Sequence, residues 1–157
     1  MEKGGKELKV SAIKNGTVLD HIPAGQLFKV ISILGLKDCQ NQVTFGMNLD
    51  SKLLGKKSII KVSDRFFEET EINKVALVAP EAKINIIKNF EVVEKKVLRV
   101  PDEIVGIVKC ANPKCITNHE PITTRFSTNF EDGTLKLHCR YCEKNTGSDN
   151  LKIISDN

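Results

Sequence analysis

The amino-acid sequence predicts an α+β fold in two parts, a two-layer antiparallel sheet with two helices followed by a small metal-held β domain. Three observations lead there. Strand-like and helix-like apolar periods alternate through the first hundred residues, as in a sheet covered by helices. The pattern breaks at the connector Leu98-Arg-Val-Pro101-Asp-Glu103, and four of the five cysteines crowd into the residues beyond it. The boundary is therefore expected between a domain over 1–99 and a second over 103–157.

Taken in order, Leu8, Val10 and Ala12 alternate with polar residues, the signature of a strand with one buried face. Asn15-Gly16 reads as a two-residue hairpin turn, and Thr17 to Ile22 as the returning strand, stopped by Pro23. Leu27, Val30, Ile31 and Leu34 keep helical spacing, with Gly35 placed to end the helix. Val43 to Leu49 reads as a strand. A polar loop, Asp50 to Lys57, leads into a further strand from Ser58 to Val62. Thr70 to Ala79 fits a second helix with Thr70 as N-cap and Ile72, Val75, Ala76 and Ala79 inward, ended by Pro80. Strands near Lys83–Ile87 and Phe90–Lys95 complete a two-layer, ferredoxin-like arrangement with both helices on one face.

Composition excludes several classes. A 40% hydrophobic, Ile-, Val- and Leu-rich chain is globular and not disordered. No stretch approaches the ~20 apolar residues of a membrane span, and the polar start lacks a secretory apolar run, so the expected location is cytoplasmic. Charge is unevenly shared. Residues 1–100 carry 17 Lys and Arg against 12 Asp and Glu, whereas residues 101–157 carry 7 against 8. Attraction for anions belongs to the first part.

The cysteines run Cys110-Ala-Asn-Pro-Lys-Cys115, then 23 residues, then Cys139-Arg-Tyr-Cys142. Two short pairs at this separation, in a reducing compartment, are the arrangement of tetrahedral thiolate zinc, against the alternatives of two disulfides or buried free thiols. Four thiolates saturate the ion, so its role is structural and not hydrolytic. A stretch of roughly 55 residues has little core of its own, and metal binding is expected to supply its folding energy. His119 and His138 lie near the ligands but read as bystanders, and Cys39 reads as an inert small thiol.

The first domain has no phosphate loop and no recognisable catalytic signature. Asp20-His21 is half of a catalytic arrangement at most, with no nucleophile at a matching spacing. Lys57, Lys61 and Lys95-Lys96 at strand ends either converge on a polyphosphate pocket or are ordinary solvated lysines, and composition alone leaves the solvated reading ahead. A zinc-ribbon nucleic-acid binder predicts a basic ribbon with exposed aromatics, and the cysteine-bearing part is not basic.

The run Leu8-Lys-Val-Ser-Ala-Ile-Lys-Asn-Gly-Thr-Val-Leu-Asp-His-Ile-Pro-Ala24 resembles the opening of the aspartate carbamoyltransferase regulatory chain. The resemblance continues through Phe45-Gly-Met-Asn-Leu49, Gly55-Lys-Lys-Ser-Ile-Ile-Lys61, Ala79-Pro-Glu-Ala-Lys-Ile-Asn85, Asn89-Phe-Glu-Val-Val93 and the cysteine pattern, over essentially the whole chain. It implies a non-catalytic subunit of pyrimidine biosynthesis. Its N-terminal allosteric domain would bind CTP, ATP and, in this family often, UTP. Its zinc domain would dock on the catalytic chain. Regulatory dimers would join two catalytic trimers into a dodecamer of six chains of each kind, with no nucleic-acid or membrane partner.

Carried over by position, the resemblance implies strand backbone at Val10, Ser11, Ala12 and Ile13 for the base, and Val18, Asp20 and His21 beside ribose and phosphate. Lys57, Lys61 and Lys95 would supply positive charge, with Lys61 near the sugar and base and Lys95 on the phosphates. Asn85, Ile87, Phe90 and Val92 would wall the base pocket. Cys110, Cys115, Cys139 and Cys142 would hold zinc. Ser11 stands where better-known members carry an acidic residue, Phe90 replaces a tyrosine, and residues 1–7 match poorly.

Overall fold

The computed structural model describes residues 12–148 and 151–154. It divides into two compact units, Met1–Arg99 and Val100–Asn157. The first holds β1 (Gly16–Pro23), α1 (Leu27–Ile33), β2 (Val43–Ser51), β3 (Gly55–Ser63), α2 (Glu69–Asn73), β4 (Lys83–Lys88) and β5 (Glu91–Lys96). The strands form one sheet in the order β2-β3-β1-β4-β5, every neighbour antiparallel. Placing β3 between β1 and β2 is the split βαβ connection, the ferredoxin-like topology.

Register assigns the faces, because residues opposite one another share a side of the sheet. Thr17, Leu19, Ile60, Val62, Ile84 and Ile86 align on one face and are buried. With Leu27, Val30, Ile72, Val75 and Ala76 of the helical segments they make the core. Val18, Lys61, Asn85 and Lys95 align on the other face.

Four local departures from the sequence reading have physical causes. The expected strand partner Leu8–Val10 lies outside the described residues, but no tight turn forms at Asn15-Gly16. Gly16 instead has φ +142, and a Cβ there would stand 2.1 Å from the Val62 carbonyl oxygen, so the glycine permits close strand approach. The two-residue turn sits at Asn89-Phe90, both at positive φ (53 and 66), joining Lys88 to Glu91. Its backbone is held by the Phe90 N–H donating to the Lys14 carbonyl at 2.9 Å and the Asn89 N–H to Asn15 Oδ1 at 3.1 Å. Lys57, placed in a loop by the sequence, belongs to β3, and α2 starts earlier than Thr70. Glu68 caps α2, its own N–H donating to Glu71 Oε1 at 3.0 Å in a capping box, and after Asn73 the chain tightens into a 3-10 turn, Lys74–Leu77.

The second unit holds β6 (Glu103–Val105), β7 (Val108–Lys109), β8 (Arg125–Glu131), β9 (Thr134–Cys139), β10 (Asn145–Gly147) and β11 (Lys152–Ile153). A four-stranded sheet runs β10-β9-β8-β6, and β11 pairs with β7. Phe126, Leu137, Ile104, Val108 and Leu151 form its small core. Among the described residues no helix is long and apolar enough to cross a membrane.

Candidate metal centre and nucleotide face

The four cysteines of the second unit converge. Cys110 follows β7, Cys115 opens a 3-10 turn, Cys139 ends β9, and Cys142 lies in the turn before β10. All four Sγ atoms lie within 4.8 Å of one another, with Cys110–Cys142 at 3.7 Å and Cys115–Cys139 at 3.8 Å. Cys110, Cys115 and Cys139 are buried and Cys142 is half-buried.

Each pair owes its aim to short-range hydrogen bonds. In the first loop the Cys115 N–H donates to the Asn112 carbonyl at 3.0 Å, and Asn118 Nδ2 donates to the carbonyls of Cys110 (3.1 Å) and Asn112 (2.7 Å). In the second, the Cys139 N–H donates to the Lys144 carbonyl and the Glu143 N–H to the Cys139 carbonyl, both at 3.0 Å, with Glu143 at φ 62 closing the turn. The Tyr141 N–H points at Cys139 Sγ at 3.4 Å. Donors aimed at sulfur suit thiolates.

Burial pushes the Cys110 thiol up to about 12 and raises Cys139 as well. Burial also acts upward on Cys142, but hydrogen bonds with the Asn112 side chain, the Lys144 backbone and the Cys110 and Cys139 thiols together outweigh it and hold that thiol at about 6. Three buried sulfurs gathered at one point, at least two of them reluctant to ionise in water's absence, are made favourable by a cation that replaces their protons. A structural metal ion fits this donor set. His119 Nε2 is engaged with the Pro113 carbonyl at 2.7 Å and His138 Nδ1 with Asn145 Oδ1 at 3.0 Å, so neither joins the cluster.

In the first unit the candidate nucleotide residues meet on the face of the sheet away from the core. Lys61, Val18, Asn85 and Lys95 stand on a single rung across β3, β1, β4 and β5. Three strand spacings separate the two lysines, about 14 Å. Ile87 and Val92 pair on a neighbouring rung of the same face. Val10 and Ser11 lie outside the described residues.

A β-bulge brings in Asp20 and His21. β1 advances three residues, from Leu19 to Ile22, while β3 advances two, from Ile60 to Ser58. Leu19 and Ile22 both stay in the core, so the extra residue frees Asp20 and His21 together from the core face, with His21 at φ 59. Asp20 Oδ1 accepts the His21 N–H at 2.6 Å and takes the Lys57 ammonium at 2.9 Å. Lys57 is thereby committed to Asp20. Among the described residues His21 Nδ1 is buried without a hydrogen-bond partner, 3.6 Å from Asp20 Oδ1.

Two hollows flank the rung. One, of about 390 Å³, is lined by Asp20, His21, Asn85 and Lys95 together with Lys83, Lys96 and the loop residues Pro80 and Glu81. The other, of about 280 Å³, gathers Ala12, Ile13 and Phe90 with Asn15, Ser63 and Asp64. They sit toward opposite ends of β1, with Gly16 beside one and Asp20 at the other, about 13 Å apart along the strand. Lys83 was not singled out from sequence. Its signal was the two-residue spacing from Asn85, which puts both on one face.

The comparisons agree with this division. Residues 8–99 match the family model for the aspartate carbamoyltransferase regulatory chain, allosteric domain. Residues 102–152 match that for the aspartate carbamoyltransferase regulatory chain, metal binding domain. The chain is 53% identical over 154 residues to an aspartate carbamoyltransferase regulatory chain of Bacteroides fragilis, covering 98% of this chain and all of that one. It is 56% identical over 140 residues to one of Pyrococcus horikoshii, covering 88% of this chain and 91% of the relative. Neither domain model is a catalytic one, and the relatives are named as regulatory chains. The chain belongs to the family of aspartate carbamoyltransferase regulatory chains, non-catalytic proteins with an allosteric and a metal-binding domain.

Proposed function

We propose that the chain binds CTP, ATP and UTP on the outer face of its five-stranded sheet and transmits their binding to aspartate carbamoyltransferase catalytic trimers docked on its zinc domain. The reading rests above all on the single rung Lys61–Val18–Asn85–Lys95. Two separate strands and a hairpin bring two ammonium groups, an amide and an apolar floor to one face. That face leads from the Ala12, Ile13 and Phe90 hollow, suited to a base, to the Lys95 cleft, suited to phosphates. In this reading Asp20, fixed at the bulge, accepts from ribose hydroxyls and His21 meets the phosphate side.

The metal of the second unit is zinc. Four cysteine sulfurs gathered within 4.8 Å of one another, two of their pairs at 3.7 and 3.8 Å, are a donor set that would suit zinc. Cys110, Cys115, Cys139 and Cys142 are its ligands. Zinc supplies the folding energy that the small core lacks and so builds the surface for the catalytic chain. Regulatory dimers then join two catalytic trimers into a cytoplasmic dodecamer of six and six. Nucleotides act by differential affinity for its two states, which is what allostery requires.

The test is the aspartate saturation of catalytic trimers with and without this chain, each with and without CTP and ATP. A curve changed by the chain and moved again by nucleotides supports the reading. Trimers indifferent to the zinc-loaded chain would overturn it. In the reconstituted complex, Lys61→Ala weakens nucleotide effects about tenfold and leaves assembly intact, as expected for one charge-assisted contact.

A further inference from the structure

Lys83 opens β4 directly opposite Asp20 of β1, two residues before Asn85 and on the same face. It lines the 390 Å³ cleft with Lys95 and Lys96 and is exposed. Among the described residues none of these three lysines has a carboxylate partner. The carboxylate nearest in register, Asp20, is already taken by Lys57 at 2.9 Å. Asn85 pairs with Lys95, so Lys83 is the diagonal neighbour of Lys95, with Cα atoms about 7–8 Å apart. Like charges on diagonal neighbours repel one another wherever their side chains approach, and an anion between them removes that repulsion.

Position along the strands decides which part of the anion Lys83 meets. From the β4–β5 turn at Phe90 the outer face passes first Ile87 and Val92, next Asn85 and Lys95, and only then Lys83. With the base at the Phe90 end, Lys95 meets the phosphates nearer the sugar, and Lys83 lies one step farther out. On this basis we propose that Lys83 is a terminal-phosphate contact that makes the cleft prefer nucleoside triphosphates to monophosphates. This rests on the nucleotide-site reading above and adds to it a residue and a selectivity.

The experiment is calorimetric titration of the full-length, zinc-loaded chain with CTP, CDP and CMP, comparing Lys83→Met with the unaltered protein. Loss of one exposed charge-assisted contact should weaken CTP about three- to tenfold while CMP changes less than twofold. Lys83→Arg should restore CTP binding. Lys88→Met removes the same charge from the far end of the same strand and should leave the series unchanged. Unchanged CTP binding in Lys83→Met, equal losses for CTP and CMP, or an equal CTP loss in Lys88→Met would each overturn the assignment. If the unaltered chain binds none of the three nucleotides, the site reading itself falls. An unshifted melting temperature in Lys83→Met separates lost contact from lost fold.

Discussion

In the second unit four sulfurs come from two short loops, whereas in the first the candidate nucleotide contacts come from four strands and a turn. Each cysteine pair is aimed by hydrogen bonds spanning a few residues, such as Cys115 N–H to Asn112 and Glu143 N–H to Cys139. The rung Lys61–Val18–Asn85–Lys95 owes only its Asn85–Lys95 pair to a nearby turn. It exists because β1, β3, β4 and β5 share one register. One site can organise around an ion even in a small domain, while the other inherits its geometry from a core that must already be folded. The two units should therefore fail in different ways.

The largest expected effect breaks the comparison at the metal. Structural zinc in small domains contributes on the order of 10 kcal/mol or more. Removing it with a strong chelator should unfold Val100–Asn157, abolish association with catalytic trimers and leave CTP binding by the first unit within about twofold, provided the metal's energy stays within its own unit. Circular dichroism, sedimentation and CTP titration on the same stripped sample check all three. A chelated chain that still assembles the full complex would show that the metal centre is dispensable for docking.

The converse perturbation is Gly16→Ala. The added Cβ would meet a backbone carbonyl at 2.1 Å in a conformation that side chains rarely adopt, and backbone cannot give way as a side chain can. The first unit should lose about 3 kcal/mol or more, read as a lower denaturant midpoint, with nucleotide affinity falling alongside it. Metal content and the second unit's unfolding should stay as they were. A coincident shift in both units would mean that they unfold as one.

The same contrast explains what was legible in the sequence. The metal site could be read from spacing alone because its geometry is local and thiolate pairs have few other uses. The sheet and both helices were legible from apolar period. Their details were not, because Glu68 as N-cap and the turn at Asn89-Phe90 depend on interactions the period does not encode. Asn15-Gly16 has the favoured hairpin dipeptide, yet Gly16 is needed where β1 passes the Val62 carbonyl. The lysines were ambiguous for a deeper reason. Lys57, Lys61, Lys83 and Lys95 look alike in sequence, and only register separates Lys57, paired with Asp20, from Lys83 and Lys95, which line the cleft with no carboxylate partner among the described residues. The Asp20-His21 bulge left no sequence trace beyond two apolar residues, Leu19 and Ile22, three apart in a strand.

The smallest effect sharpens the comparison at the turn itself. Phe90 is bulky, 64% exposed and held at φ 66, a conformation that costs a residue with a Cβ about 1–2 kcal/mol. Phe90→Gly creates Asn-Gly, the favoured dipeptide for a two-residue hairpin turn. Part of the relief is offset by the greater freedom of glycine in the unfolded chain, so the first unit should gain only about 0.5 kcal/mol. That is a rise of a few degrees in its melting temperature. If the ring walls the base pocket, the same variant should bind CTP several-fold more weakly, stability and affinity moving in opposite directions. That opposition would identify Phe90 as a strained residue kept for its ligand, since strain without a packing reward persists where function needs the side chain. Unchanged CTP affinity would remove the ring from the site, and a loss of stability would show that Phe90 is held by packing instead.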